Sequence, residues 1–203
     1  MVFDLLKKQQ QQQREELGER LPPHQRLARA GEWPVLHYGA APRVEPGSFS
    51  FRIWGLVEDE IELTWDELNA VSQSSVKNDI HCVTGWSKFD NDWVGVPVLD
   101  LLAKVVAKPE ATAVMVHSFG GYTTNLLMSD LARPQNLLAH THNGNPLAKE
   151  HGGPMRLVVP HLYFWKSAKW ARGFEFISRD QPGFWEMYGY HMRGDPWKEE
   201  RYS

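Results

Sequence analysis

Along residues 48–56, SFSFRIWGL, the apolar side chains Phe49, Phe51 and Ile53 alternate with polar ones. That period of two is the mark of a half-buried strand. EIELTW repeats it with Ile61, Leu63 and Trp65, and Thr64 stands three residues before Glu67, the spacing of a capping box. A helix is therefore expected to begin at TWDEL. KNDIHCVTGWS reads as a short strand that breaks at Gly85, and Pro97 opens VPVLDLLAKVV, whose apolar spacing suits a helix. Strands then recur in TAVMVHS, YTTNLLM, LLAHTH, MRLVVP and KWARGFEF, with the tight-turn pair Asn143-Gly144 after one of them. Strands outnumber helices and do not alternate with them. The pattern predicts an α+β fold, a mixed and mostly-β core with flanking helices, not a doubly wound sheet. No internal repeat of fixed period occurs.

The two ends break the pattern. Residues 1–31 carry five consecutive glutamines, Gln9 to Gln13, among Lys, Glu and Arg, with a thin apolar stripe of Val2, Leu5, Leu6, Leu17 and Leu21. Good helix formers with so little apolar surface predict a helical surface tail, ended by Pro22 and Pro23. Residues 32–203 are then expected to form the domain. The last stretch, GFWEMYGYHMRGDPWKEERYS, is aromatic and charged without periodicity and reads as an extended tail wrapping the domain. Its Trp185, Tyr188 and Trp197 are too large and apolar to be left wholly exposed.

Composition narrows the function. With 203 residues, 42% of them hydrophobic and 23% charged, the chain suits one soluble globular domain with a tail. A net charge of −3 gives no bulk electrostatic case for nucleic acid or an anionic membrane as the main partner. No apolar run approaches the roughly 20 residues that span a bilayer. The N-terminal residues show neither an apolar signal core nor twin arginines, so a cytoplasmic chain is expected. A single cysteine excludes an internal disulfide framework and any CxxC motif. Nine tryptophans favour a β-rich core with large aromatic packing elements.

Three groups could carry chemistry. Cys82 closes an apparent strand just before a loop, where it is either a small buried hydrophobe or a thiolate ligand to a soft metal. Its neighbour His81 faces the other way along a strand and is poorly placed as its base. His140 and His142 share one strand face, and with His151 or Glu150 they could form a zinc or iron site. Arg156, Lys166, Lys169 and Arg172 form a cationic group interleaved with Ser and aromatics, suited to phosphate oxygens. Gly152 and Gly153 beside it would let backbone approach a ligand closely.

In chain order, WPVLHYGAAP, HCVTGWS, GGYTTNL and LLAHTHNGNPLAKEHGGPMRLVVPHLYFWKSAKW resemble the molybdopterin-binding domain of the sulfite-oxidase family. The similarity is greatest to its small bacterial members, related to the molybdenum-dependent methionine-sulfoxide reductase catalytic subunit. NG-x-PL, HG-x-P-x-R and KS-x-KW all occur in the family's order, and the resemblance runs from about Trp33 to Gly173. It implies the sulfite-oxidase-type fold and one molybdopterin per chain, with Cys82 as the thiolate on molybdenum and Tyr122 near the metal. It places His37 and Tyr38 against the pterin, with Ser118 contributing a hydroxyl nearby. His151 and Arg156 fall on family contacts, and Ser167, Ala168 and Lys169 on the loop that holds the pterin phosphate. The implied reaction is two-electron oxygen-atom transfer on a small sulfite-like or sulfoxide-like substrate, with electrons exchanged with a separate partner. The sequence departs from the family after Cys82. VTGWSKFDNDW holds only Lys88 where sulfite oxidases place an arginine-rich motif, and Trp86 and Trp93 suggest a flatter, more apolar approach to the metal. Two alternatives stay open: the zinc or iron enzyme on His140, His142 and His151, and a non-catalytic domain of the same fold.

Overall fold

The computed structural model describes Lys8, Glu15, residues 17–29 and residues 31–203. Of the expected N-terminal helix, Val2, Leu5, Leu6 and Gln9 to Gln13 lie outside the described residues. Its end is visible as a 3-10 turn, Gly18–Arg20, before the two prolines.

Two sheets form the body. One holds β2 (Ser50–Gly55), β3 (Ile61–Thr64), β6 (Ala113–Ser118), β7 (Thr123–Leu127) and β11 (Ala171–Ile177) in the order β3-β2-β11-β6-β7. Its pairs are antiparallel except β2–β11, where the last strand returns beside an early one. The other holds β1 (Arg26–Leu27), β4 (Ser74–His81), β5 (Trp86–Pro97), β8 (Leu137–His142), β9 (Asn145–Pro146) and β10 (Arg156–Val158). β5 is its spine: β4 runs antiparallel along it, β8 pairs with Trp93 to Pro97, and β1 lies parallel to Trp86 and Ser87.

Alternation decides what each face buries. Phe51, Ile53, Val114, Val116, Phe174 and Phe176 of the first sheet meet Leu138 and Leu157 of the second in one core. The residues next to those, Leu137, Ala139 and Val158, turn to the opposite face of the second sheet and pack with Ile80, Cys82, Trp86 and Trp93. That sheet is buried on both faces, so LLA (137–139) and LVV (157–159) read as continuous apolar runs.

The capping box forms as expected. Thr64 Oγ1 accepts from the Glu67 N–H at 3.3 Å and the Glu67 carboxylate accepts from the Thr64 N–H at 2.8 Å, starting the helix Trp65–Ala70. The helix after Pro97 is shorter than its apolar spacing suggested, Val98–Leu102, because the chain leaves to bridge Ala107 to Val57. Asn143 and Gly144 take φ of 48° and 76° and close the β8–β9 hairpin. The C-terminal segment is more ordered than a plain extended tail. It contains the helix Phe184–Met187 and a 3-10 turn at Pro196–Lys198. Two ion pairs fasten it: the buried Lys166–Glu186 at 2.6 Å, and the partly exposed Arg193 on the buried Asp130 at 2.9 Å. Trp185 is half-buried, while Tyr188 stays 70% exposed with its ring against Phe184 and Trp185. Among the described residues no helix is long and apolar enough to cross a membrane.

Phe174 is fully buried and meets Phe51 edge to face at 4.9 Å. Phe174→Ala is expected to cost about 3–5 kcal/mol by the cavity it leaves, and Thr64→Ala about 1 kcal/mol by loss of the cap. Urea unfolding reads both, and a Phe174 variant no less stable than the Thr64 variant would contradict this core.

Candidate active site

Cys82 sits where β4 ends. Its N–H donates to Trp86 O at 2.8 Å, and its carbonyl accepts from Gly85 N–H and from the buried Gln25 amide, both at 3.0 Å. The turn carrying the thiol is thus pinned from within and from the N-terminal segment. Its Sγ lies 3.1 Å from Thr84 Oγ1. Burial pushes the thiol pKa up, against the Thr84 hydrogen bonds and the positive charges of Arg201 and Lys169. His81 points elsewhere, as strand alternation required. It is hydrogen-bonded to Ser87 Oγ at 2.8 Å, and burial pushes its pKa down to about 4.

Cys82 opens into a pocket of about 410 Å3 that gathers most of the expected site residues. Arg156, on its wall, is 1% exposed. Its guanidinium donates to the carbonyls of His151 (2.8 Å), Ser167 (2.6 Å) and Leu157 (3.4 Å) and lies 4.1 Å over the Phe164 ring. Burial pushes its pKa down to about 9, and no acidic side chain pairs with it among the described residues. Lys169 donates to Leu36 O at 3.0 Å and Glu150 O at 2.6 Å, which ties the segment of His37 and Tyr38 to the pocket. Burial, and then the charge of Arg156, push its pKa down to about 7. Ser167 Oγ accepts from Val159 N–H at 2.9 Å, and the N–H groups of Ala168 and Lys169 have no acceptor among the described residues. No carboxylate lines the pocket.

The remaining expected residues divide. His37 and Tyr38 reach the rim, where His37 meets the edge of Trp170 and Tyr38, 71% exposed, lies on Phe184. Tyr122 lines the pocket, but its hydroxyl donates to Trp165 O at 2.7 Å, and burial holds its pKa well above the usual phenol range. Ser118 does not line the pocket; it is buried at the end of β6 with its hydroxyl unpartnered. His151 stands behind the wall. Its ring stacks on Trp33 at 3.7 Å, its Nδ1 has no partner, and burial pushes its pKa down to about 4.

Several expectations are corrected. His140 is hydrogen-bonded to Thr141 and Gln73, and His142 to Asn91, while Trp33 packs against both His142 and His151. Among the described residues no three His, Cys, Asp or Glu side chains gather to hold a metal, so the zinc or iron site is not assembled. Lys166 is spent on Glu186 and on the carbonyls of Asn125 and Met192, and Arg172 is exposed. Only Arg156 and Lys169 of the four cations face the pocket. A Cβ on Gly152 would meet Arg156 and Lys169 at 3.0–3.1 Å, and one on Gly153 would run into Leu147 O. These glycines admit the chain's own backbone, not a ligand's. Trp86 lines the pocket, whereas Trp93 is fully buried with Nε1 on Asn78 Oδ1.

Sequence reasoning pointed to Trp86 and missed the rest of the aromatic walls. Trp33, Trp86, Trp165, Trp170 and Trp185 all line the pocket, five of the nine tryptophans, and Phe184 and Tyr190 come from the tail. The tryptophan count was the available signal; the tail's lack of period hid where its rings point.

A molybdopterin fits this donor set. It needs one soft protein thiolate, a clamp for phosphate oxygens and flat surfaces for its rings. The pocket offers Cys82, two cations without a counter-anion among the described residues, the N–H groups of Ala168 and Lys169, and aromatic walls.

A family model described as the oxidoreductase molybdopterin binding domain matches residues 38–185, and the chain belongs to this family. It is 48% identical over 185 residues to the "Uncharacterized oxidoreductase YuiH" of Bacillus subtilis (strain 168), covering 91% of this chain and 92% of that protein. It is 25% identical to the protein-methionine-sulfoxide reductase catalytic subunit MsrP of Ralstonia nicotianae, covering 77% of this chain and 53% of that one. The chain therefore spans about half the length of that relative. The sulfane dehydrogenase SoxCD of Paracoccus pantotrophus shares the fold, with a TM-score of 0.65 at 24% identity over 70% of this chain and 41% of that one. The sulfite-oxidase-type fold expected from the sequence is borne out, and the chain is a molybdopterin-binding oxidoreductase domain.

Lys169 gives a pH-dependent prediction. Its pKa is down to about 7 in the fold, against roughly 10.4 in an unfolded chain. Between those values the unfolded state binds more protons, so this lysine makes stability of the cofactor-free protein rise with pH. Lys169→Met is expected to flatten that rise. Thermal melting of both proteins from pH 6.5 to 10 measures it, and parallel curves would contradict the assignment.

Proposed function

We propose that the chain catalyses two-electron oxygen-atom transfer at a molybdenum centre anchored by Cys82, exchanging electrons with a separate partner protein. The observation that carries this reading is the lone thiol in one pocket with two cations that have no counter-anion. When bound, the cofactor supplies the two-electron redox change. Cys82, at the hairpin turn, would hold the metal as a thiolate, having given up its proton. Arg156 and Lys169 hold the phosphate, and the aromatic walls exclude water. Tyr122, its proton donated to Trp165 O, keeps the loop 165–169 in place. Similarity to MsrP, a protein-methionine-sulfoxide reductase catalytic subunit, supports a sulfoxide-like substrate, and so does a pocket lining that among the described residues has no cation beyond Arg156 and Lys169, which suits a neutral group better than a dianion. The reading includes the cytoplasmic location expected from the sequence, which cell fractionation against an exported marker tests.

Metal mass spectrometry, with fluorescence of the oxidised pterin, on protein from a molybdopterin-making host is expected to find both near one per chain. Zinc or iron without pterin would overturn the reading. Cys82→Ser is expected to stay folded and keep pterin but lose turnover; retained turnover would sink the ligand assignment. Arg156→Met should instead lower pterin content several-fold, because it removes the buried positive charge that meets the phosphate.

A further inference from the structure

Two segments outside the residues matched to the family, 38–185, hold the turn that carries Cys82. On one side Gln25 donates to the Cys82 carbonyl at 3.0 Å, and Arg26 N–H to Gly85 O at 2.9 Å. On the other the C-terminal segment delivers Arg201, whose Nη1 donates to Val83 O. The Arg201 guanidinium lies 5.1 Å over the ring of the fully buried Tyr163, and its Nη2 is buried with no partner among the described residues. The backbone of Arg201 is fixed as well: its N–H donates to Glu199 O at 2.7 Å, and its carbonyl accepts from His191 N–H at 3.1 Å. The two acids beside it are engaged elsewhere, Glu199 with His24 at 3.5 Å and Glu200 with His191 at 3.4 Å. Arg201 does not line the pocket. Yet of the charged side chains it acts most strongly on the Cys82 thiol, ahead of Lys169, which does line it.

We propose that Arg201 is a positioning residue for the metal ligand: it holds the turn by Val83 O and sets a fixed positive charge behind the Cys82 sulfur. This rests on the oxygen-transfer reading above. Lying outside the pocket, Arg201 touches no substrate, and it is neither oxidised nor reduced. Each electron that the partner protein delivers adds negative charge at the centre, and a cation fixed nearby in a buried setting favours that state. The charge thus raises the potential at which the centre is reduced. Lys169 cannot fill this place, because it faces the pocket, where a bound phosphate would pair with it. A charge behind the wall keeps acting on the sulfur after the pocket is filled.

Cys82 is the single cysteine, so alkylation of the metal-free protein reads one site. The ratio of the rates with anionic iodoacetate and neutral iodoacetamide reports the electrostatic potential at the sulfur, because the ionised fraction of the thiol cancels in it. Arg201→Gln keeps an N–H donor for Val83 O without the charge, and its ratio is expected to fall about twofold to fivefold at low salt. Arg201→Met should fall alike, while Arg201→Lys should hold the parent value. In the molybdenum-loaded protein the midpoint potential, read from the Mo(V) paramagnetic resonance signal during a mediated titration, should fall in the two neutral variants and be kept in Arg201→Lys. A ratio unchanged in Arg201→Gln and Arg201→Met would overturn the proposal, even if both rates changed together, as a purely structural brace would have it. So would an unchanged potential in those variants, or a ratio in Arg201→Lys as low as theirs. A parent protein that holds no molybdenum would overturn the oxygen-transfer reading instead, and the ratio would still decide the role of Arg201 from the metal-free protein.

Discussion

Arg156 is a buried guanidinium with no carboxylate to neutralise it, and the pocket is organised by that fact. An unpaired buried cation costs several kcal/mol of lost hydration. Here the charge is spread over carbonyls of residues 151, 157 and 167 and over the face of Phe164. Those carbonyls belong to the turn before β10, to β10 itself and to the loop before β11, so satisfying one side chain draws the three together. Lys169 extends the arrangement by holding Leu36 O and Glu150 O, which brings in the segment ahead of β2. Partial negative charges of carbonyls stabilise the two cations without cancelling them. A net positive pocket remains for an anionic ligand to complete.

The C-terminal segment shows the opposite solution to burying charge. Lys166 and Glu186 are both fully buried and paired, and Thr124 and Trp165 also donate to the same carboxylate oxygen. Asp130 accepts from Arg133, His161 and Arg193, and its pKa falls far below the usual carboxylate range. Burial opposes that shift, and the His161 and Arg193 hydrogen bonds outweigh it. Pairs of this kind add little net stability, but removing one partner costs about 3–5 kcal/mol. Their effect is to select one docking position for the tail. That position sets Phe184, Trp185 and Tyr190 in the pocket, so charges that take no part in binding determine the shape of the wall.

What was legible in the sequence follows from range. The period-two runs and the Thr64–Glu67 box report on neighbours in the chain, and each appears where the pattern put it. β5 was not legible because its middle is KFDND. Those polar groups are absorbed by cross-strand partners, with Asp79 accepting from Asp90 N–H and Asn91 bonding Lys88 O and Asn78 O. In the site, Cys82, Arg156 and the loop 167–169 carry their chemistry in short motifs. Lys166 and Arg172 sit in the same motif, yet one turns toward the tail and the other to solvent. Spacing along a loop cannot separate those directions. The tail's part in the pocket depends on Glu186 and Arg193 finding partners far away in the chain, and no local pattern encodes that.

Burial drives the titratable groups around the pocket toward their neutral forms. The Cys82 thiol is pushed up, Lys169 is down to about 7, and His142 and His151 are down to about 4. Tyr122 is held as a neutral phenol. A pocket in this state keeps few charges out of water before its ligand arrives. On the proposed reading binding would move protons in opposite directions: a metal ion would displace the proton of Cys82, while a phosphate beside Lys169 would favour the protonated ammonium. Near pH 7 the lysine, already about half protonated, would take up only part of the proton that the thiol would release.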